Sequence, residues 1–400
     1  MIKYFTIQTI SGSGLGDQLG TQFTRLYGLG KILGATYIYT PLVFNRSIKP
    51  VWYVLSEKII FKIRYFLLFV FGQNIFTNAL NVLLLRTEKI INSVQLRYND
   101  FTLNDFLGIS KLGETVISNK KIIDVGIDEF FDSSGDLSLS AYIRFIESKS
   151  QTHDESIVIC LKWGANMWQL IPKIDKILNE LLLRKEDLIN TLFAEGFNHL
   201  HSEINREKAN IVFHIRCGDS TKITLGNRSL IVYDKFLYQD ESEMEQILSI
   251  DPDRVSIPPK EYLKIYDNIA KNWDLGKCNI CIISDGYHLT YCNIMRNLLK
   301  RKCNVRLNKE EKKQLKLHIK EKNSVFDKFQ KAELIIGESK QNLYKSILCL
   351  AGADLLIWGC GGFACNIHKL FSSTAKDSNI YKVSDLDVES LGKLKEKYNA

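Results

Sequence analysis

Ile211-Val212-Phe213-His214-Ile215-Arg216-Cys217-Gly218-Asp219 is the stretch on which the fold prediction for this 400-residue chain depends. An apolar run of strand-forming residues ends in an arginine, a glycine and an acid. This pattern is typical of a buried strand in a parallel sheet, followed by polar residues at its carboxyl end. Ligands of open α/β sheets bind outside that end. The stretch alone allows two interpretations: Arg216 contacts a ligand, or His214 and Arg216 are core-edge residues that pair with Asp219.

The second half of the chain alternates between strand-like and helix-like segments, with a long polar excursion over Ser220–Ile257. The predicted strands are Ile211–Ile215, Cys278–Ser284, Cys303–Leu307, Leu355–Trp358 and Asn379–Val383. The predicted helices are Lys260–Asn272, Tyr287–Arg301, Gln341–Ala351, Ala364–Phe371 and Asp385–Tyr398. A repeating βα pattern predicts a doubly wound, Rossmann-like domain over residues 206–400.

The first half begins with a strand, Tyr4–Thr9, and a glycine-rich turn, Ser11–Leu19. A helix that ends at Gly34 and a strand over Thr36–Thr40 complete a βαβ unit. Further predicted elements are the strands Lys121–Val125 and Ile157–Leu161 and the helices Ile171–Leu183 and Lys185–His201. We therefore expect a first Rossmann-like domain over residues 1–205, facing the second domain across a cleft.

The glycine-rich turn excludes two common nucleotide-binding motifs. Counted from Gly12 or from Gly14, the last glycine of G-x-G-x-x-G is replaced by Asp17 or Leu19. The P-loop pattern G-x-x-x-x-G-K-[ST] is absent from the sequence. The sequence therefore argues against a nicotinamide enzyme and against a P-loop ATPase.

Composition and patterning predict a cytoplasmic protein. The start of the chain lacks the apolar core of a signal peptide, and the longest apolar run, Tyr65–Phe71, is far shorter than the ~20 residues of a membrane span. Nine cysteines, an odd number, suit free thiols in a reducing compartment. The formal charge of +8 suits an anionic partner. Ile59–Phe71 is either a buried helix or a basic amphipathic segment at a membrane surface.

Lys300–Lys331 is the most basic segment, with twelve Lys or Arg residues against four acids. A solvated helix face is the usual meaning of such a run. Nucleic-acid binding would require aromatic residues or a known module beside it, so we expect no nucleic-acid partner.

Four loops are predicted to follow strands and to carry the functional residues: Gly12–Asp17, Arg216–Asp219, Ser284–Gly286 and Gly359–Asn366. Arginine offers a rigid fork that suits phosphate. Glycines let the backbone approach a ligand, and a helix start supplies free amides. Together they predict a diphosphate site without metal. Asp251-Pro252-Asp253 matches the metal-binding D-x-D pattern only superficially, because proline at its centre indicates a turn.

The order of these motifs resembles that of the fucosyltransferase superfamily. His214-x-Arg216-x-Gly218-Asp219 resembles the H-x-R-R-x-D signature of that group, and Gly14–Leu19 resembles its G-x-G-N-Q loop. Ile283-Ser284-Asp285 is similar to its S-D-D motif. Asp354–Ile367 resembles its carboxyl-terminal loop and helix. The motifs follow the family order across nearly the whole chain.

The resemblance implies a GT-B fold and an inverting, metal-independent transfer from a GDP-sugar, usually GDP-fucose. It implies that Arg216 binds the donor diphosphate and stabilises the departing GDP, while Asp219 orients Arg216. The other implied donor-binding residues are His214, Gly218, Ser284, Asp285, Gly361, Gly362, Phe363 and Ala364. On the acceptor side, the first-domain loop contributes Gly14, Gly16 and Gln18.

Three positions depart from the family pattern. Cys217 replaces the second arginine, Gly286 replaces the second acid after Ser-Asp, and Asp17 replaces an asparagine. Asp17 allows two interpretations: it is the general base toward the acceptor hydroxyl, or it caps the following helix.

The function expected from this resemblance is a fucosyltransferase of bacterial surface polysaccharide or oligosaccharide synthesis. It would work in the cytoplasm, beside the inner face of the membrane, on a glycan or lipid-linked oligosaccharide, and would need no cofactor. Two alternatives are a glycosyltransferase with another nucleotide-sugar donor and a non-catalytic nucleotide-sugar or glycan-binding protein.

Overall fold

The computed structural model describes residues 2–10, 14–42, 59–60, 63, 66, 80, 103–114, 120–132, 135–150, 157–180, 207–217, 220–225, 228–233, 236–238, 256–287, 290, 294, 307–337, 339–371 and 379–398. Several predictions lie outside these residues, in whole or for the most part. They concern the helices Lys185–His201 and Tyr287–Arg301, the strand Cys303–Leu307, the segment Ile59–Phe71, the turn Asp251–Asp253 and the site residues Gly218 and Asp219.

Twelve strands and ten α-helices, numbered in chain order, are found among the described residues. The strands are β1 (Tyr4–Gln8), β2 (Thr36–Tyr37), β3 (Lys121–Gly126), β4 (Ile157–Lys162), β5 (Ala209–Ile215), β6 (Ser220–Leu225), β7 (Arg228–Tyr233), β8 (Phe236–Tyr238), β9 (Cys278–Ser284), β10 (Glu333–Ile336), β11 (Leu355–Trp358) and β12 (Ile380–Lys382). The helices are α1 (Leu15–Asp17), α2 (Thr24–Ile32), α3 (Ile127–Phe131), α4 (Leu139–Ser150), α5 (Ile171–Glu180), α6 (Pro259–Asn272), α7 (Lys309–Ser324), α8 (Lys340–Ala351), α9 (Gly362–Phe371) and α10 (Val388–Tyr398).

The first sheet is parallel, with the strand order β2-β1-β4-β3. The predicted βαβ unit is confirmed, because β1 pairs in parallel with β2 after the intervening helix. That helix ends where expected: Gly34 has a φ of +68° and its N–H donates to Lys31 O. Gly30 allows the helix to approach β1 closely, since a Cβ there would stand 2.1 Å from the Phe5 ring.

The second sheet is also parallel, with the order β10-β9-β5-β11-β12. Among these described strands β5 comes first in the chain and lies at the centre. The next two described strands of this sheet along the chain, β9 and β10, lie on one side of β5, and the last two, β11 and β12, lie on the other side. The strand order therefore reverses between β5 and β11, which makes the carboxyl ends of these two strands the topological switch point of the sheet.

Helices cover both faces of this second sheet. Ile211, Phe213 and Ile215 of β5 share one core with apolar residues of α6, α7 and α10. The intervening β5 residue His214 faces Phe363 of α9, and the thiol of Cys281 in β9 lies beside that of Cys349 in α8. Because both faces are buried, the strand residues form a continuous apolar run, and each fully buried side chain contributes roughly 2 kcal/mol. The predicted α/β class with parallel sheets is confirmed.

Two features of the second half were not predicted from the sequence. Part of the polar excursion Ser220–Ile257 is an antiparallel three-stranded sheet, β6-β7-β8, whose residues Ile223, Leu225, Leu230 and Val232 enter the same core. The strand β10 had no predicted counterpart. Within the basic segment, the structure places the helix α7, whose residues Leu315 and Ile319 are buried.

Contacts divide the chain into two compact units, with the main division between Glu203 and Ile204. One unit holds the first sheet, and the other holds the second sheet together with β6, β7 and β8. No described helix is long and apolar enough to cross a membrane.

Candidate functional site

Arg216 and Gly361 meet at the switch point of the second sheet. Arg216 is the first residue after β5, and Gly361 lies in the loop after β11. A Cβ on Gly361 would stand 2.6 Å from Arg216 Nη1, so the guanidinium packs directly against the glycine backbone. Gly361 has a φ of +84°, which favours glycine independently of this contact. The sequence predicted that these two loops contribute to one site, and the structure brings them together.

The start of α9 adds backbone donors to this place. Gly362 is its first residue, followed by Phe363 and Ala364. The first N–H groups of an α-helix have no partner within the helix and carry the positive end of its dipole. An anion beside Arg216 and the Gly361 backbone would therefore meet both a fixed cation and free amides.

The backbone after Arg216 is held by the end of β9. Asp285 Oδ1 accepts a hydrogen bond of 2.8 Å from the N–H of Cys217. Ser284 Oγ accepts from the N–H of Gly286 at 3.1 Å and contacts Cys217 Sγ at 3.4 Å. Thr290, which the sequence analysis did not single out, donates from Oγ1 to Cys217 O at 2.7 Å. These bonds fix the direction in which the chain leaves β5.

Ser284 and Asp285 therefore act on the site through the backbone of Cys217. Ser284 is buried and Asp285 is half-buried. Gly286 has a φ of +73°, and a Cβ there would stand 3.0 Å from Ile336 Cγ2. The turn thus suits glycine where the family pattern has a second acid.

Cys217 is buried in the core, and not turned toward a ligand. Its side chain is fully buried, and Sγ lies 3.7 Å from Ile215 O. Burial raises the pKa of this thiol well above its usual range, so it stays protonated and is no nucleophile. An arginine at this position would place a guanidinium in the apolar core, where an unpaired charge is strongly unfavourable. The packing therefore accounts for the departure from the second arginine.

His214 lies on the opposite face of β5 from Ile215. Its side chain is buried, and its ring centroid is 6.0 Å from that of Phe363. The pair joins β5 to the first turn of α9. His214 and Phe363, both predicted to bind the donor, thus lie together beside the switch point.

In the first unit, Gly14 and Asp17 lie at the carboxyl end of the sheet. Gly14 is the N-cap of α1 in an extended conformation, and no side-chain hydrogen bond caps the helix. Asp17 is the third residue of α1 and the N-cap residue of the π-helical turn that follows, and its side chain makes no capping hydrogen bond to that turn. An acid in the first turn is still favourable there, because it faces the positive end of the helix dipole. Gly16, the other loop glycine, is buried.

Two buried glutamines accept hydrogen bonds from the two residues that follow β1, one from a side chain and one from the backbone. Gln18 Oε1 accepts from Thr9 Oγ1 at 3.2 Å, and Gln22 Oε1 accepts from the N–H of Ile10 at 2.8 Å. Gln18 is one of the residues predicted for the acceptor-side loop, whereas no motif in the sequence singles out Gln22. Residues Gln18–Phe23 form a π-helical turn between α1 and α2. Such turns are rare in proteins, and those that occur are often found at functional sites. No sequence signal predicts this one.

The sequence contains one Cys-x-x-Cys pair at Cys278 and Cys281, and the structure buries both cysteines within β9. Across the described part of the chain, no group of three or more His, Cys, Asp or Glu side chains could hold a metal ion.

Comparison of the chain with protein-family models, with curated proteins and with solved structures gives no match. What the chain does is therefore inferred from its own residues.

Proposed function

We propose that this protein is an inverting, metal-independent glycosyltransferase that uses a GDP-sugar, with GDP-fucose as the first candidate. The observation that carries the proposal is the packing of Arg216 against the left-handed Gly361 at the switch point of a doubly wound parallel sheet. The order of the motifs, which resembles that of fucosyltransferases, adds the sugar donor and the GT-B arrangement of two facing domains to this proposal.

In the proposed reaction, Arg216 and the first amides of α9 bind the donor diphosphate. The acceptor hydroxyl oxygen attacks the anomeric carbon while the bond from that carbon to the diphosphate oxygen breaks. Negative charge then grows on the departing GDP, and a fixed guanidinium stabilises that charge without reorganising. Asp17 is the proposed base that accepts the hydroxyl proton. The acceptor is a glycan or lipid-linked oligosaccharide, met in the cytoplasm beside the membrane.

The test is transfer and hydrolysis of GDP-fucose, other GDP-sugars and UDP-sugars by the purified protein, over a panel of glycan acceptors. We expect Arg216→Ala to lower turnover by about 100-fold or more, the range for the loss of one charge-stabilising donor. Arg216→Lys keeps the charge but loses the fork, and we expect an intermediate rate. Lys264→Ala, which removes an exposed cation of α6, is the matched control and should retain full activity.

The same experiment separates the alternatives. Full transfer by Arg216→Ala would refute the assignment of this residue. Activity with another nucleotide sugar alone would change the donor and keep the reaction. Binding of GDP without turnover of any donor would identify a non-catalytic binding protein. If Asp17 is the base, Asp17→Asn loses turnover while GDP binding is kept; unchanged turnover would remove Asp17 from the mechanism.

A further inference from the structure

Tyr262 carries a buried hydroxyl directly beneath the glycine loop of the proposed donor site. It lies in the first turn of α6, and its side chain is 0% exposed. The hydroxyl points at Gly359, the residue that follows β11: a Cβ on Gly359 would stand 2.1 Å from Tyr262 Oη. The hydroxyl therefore occupies the space that any side chain at position 359 would need.

This hydroxyl has no hydrogen-bond partner among the residues that the structure describes. A buried tyrosine hydroxyl normally finds one, because leaving a polar group unpaired in the interior is unfavourable. Tyr266, one turn later on the same helix, shows the usual situation. Its hydroxyl accepts a hydrogen bond of 2.9 Å from the N–H of Lys331. A tyrosine hydroxyl on this helix can therefore find a hydrogen-bond partner. Of these two hydroxyls, the one without a partner among the described residues is that of Tyr262, beside the loop.

The position of Gly359 suggests what the hydroxyl is for. Gly359 stands two residues before Gly361, whose backbone packs against Arg216. A ligand oxygen bound on this loop would approach Tyr262 past a backbone with no side chain. Burial also raises the pKa of Tyr262 well above its usual range, so the phenol retains its proton and can donate.

We propose that Tyr262 donates a hydrogen bond to the diphosphate bound at the Gly359–Gly362 loop. This inference rests on the proposed function, because it assumes that the loop receives the donor's diphosphate. It makes Tyr262 a binding residue for the anion, alongside Arg216 and the start of α9. It also explains why position 359 is a glycine without invoking backbone conformation, because a larger residue would leave no room for this hydroxyl.

Tyr262→Phe tests the proposal, because it removes only the oxygen. We expect the Kd for GDP, measured by titration calorimetry, to rise about tenfold or more, as for the loss of a hydrogen bond to a charged group. The thermal unfolding midpoint of the unliganded variant should not fall, because the lost hydroxyl has no hydrogen-bond partner in the described part of the chain. Tyr266→Phe is the matched control: its midpoint should fall, while its Kd for GDP stays at the wild-type value.

Each other outcome overturns the proposal in an identifiable way. If the wild type binds GDP and Tyr262→Phe binds it equally well, Tyr262 makes no contact and the proposed function is untouched. If Tyr262→Phe is destabilised without ligand, the hydroxyl has a structural partner. If the wild type binds neither GDP nor any GDP-sugar, the proposed function fails, and the inference fails with it.

Discussion

Two features of the structure require a glycine at position 361: the left-handed backbone and the nearby Arg216 side chain. A comparison with Gly337 separates the two. The φ of +84° at Gly361 disfavours any side chain, and a Cβ there would also displace the Arg216 guanidinium. Gly337 shares the first requirement alone: its φ is +95°, and nothing lies within 4 Å of a Cβ built there. We expect Gly361→Ala and Gly337→Ala each to lose about 1 kcal/mol of unfolding free energy from backbone strain.

The two variants should differ in ligand binding. Only Gly361→Ala pushes Arg216 away from its position, so only this variant should weaken GDP binding, by about tenfold or more for a lost charge-assisted hydrogen bond. Urea unfolding and calorimetry measure the two quantities separately. Equal GDP affinity in both variants would show that the contact between Arg216 and Gly361 has no part in binding.

The candidate site residues that the sequence predicts are those that are distinctive by their own chemistry. Arg216 and Gly361 stood out because a lone arginine and a glycine-rich loop follow apolar runs. Tyr262 and Gln22 did not stand out, because their roles depend on what lies opposite them in space. In the same way, the sequence shows that Cys217 replaces an arginine of the family pattern, but it does not show that this side chain is buried.

At the scale of elements, the strands buried on both faces were predictable from the sequence, whereas β6, β7, β8 and β10 were missed. β5 and β11 are continuous apolar runs, and Leu355–Trp358 agrees with its predicted bounds. β10 is a four-residue strand at the edge of the described part of the sheet, and its Glu333 and Leu334 are exposed, so it lacks such a run. β6 and β7 were missed although apolar and polar residues alternate around Gly226-Asn227, a hairpin signal. The many polar residues of this segment are also typical of a loop.

The helix α7 carries a histidine that should make stability depend on pH. Burial, assisted by Lys322, lowers the pKa of His318 in the folded protein below its ordinary value of 6.5, although Glu321 acts in the opposite direction. As the pH falls through 6.5, the unfolded chain therefore takes up this proton before the folded protein does. The stabilisation associated with neutral His318 is complete above that pH and is lost progressively below it.

We expect His318→Gln to reduce this dependence. The wild type should lose more unfolding free energy than the variant between pH 7.5 and pH 5.5, measured by urea titration at each pH. Lys320→Gln, an exposed change on the same helix, should leave the wild-type slope unaltered. Equal slopes for wild type and His318→Gln would show that the histidine titrates alike in both states.

For the whole molecule, the two units differ in what their sheets present. The carboxyl edge of the second sheet brings together an arginine, a glycine with a left-handed backbone and the first turn of the ten-residue helix α9. All three suit a phosphate group. At the corresponding edge of the first sheet lie the acid Asp17 and two glutamines with buried side chains. This contrast fits a donor site on the second unit and an acceptor-side role for the first. The pattern of the sequence suggested the same division of roles.

GDP alone should therefore protect only the second unit from hydrogen exchange. At a GDP concentration of 100 times Kd, ligand binding stabilises a unit enough to slow amides that exchange through its unfolding by about 100-fold. We expect this slowing in peptides that cover residues 211–217, 281–287 and 357–364, read by mass spectrometry. Peptides covering residues 4–10 and 157–163 of the first sheet serve as the internal control and should exchange at the unliganded rate. Protection confined to the first sheet would place the diphosphate on the wrong unit and refute the assignment of Arg216 together with that of the glycine loop.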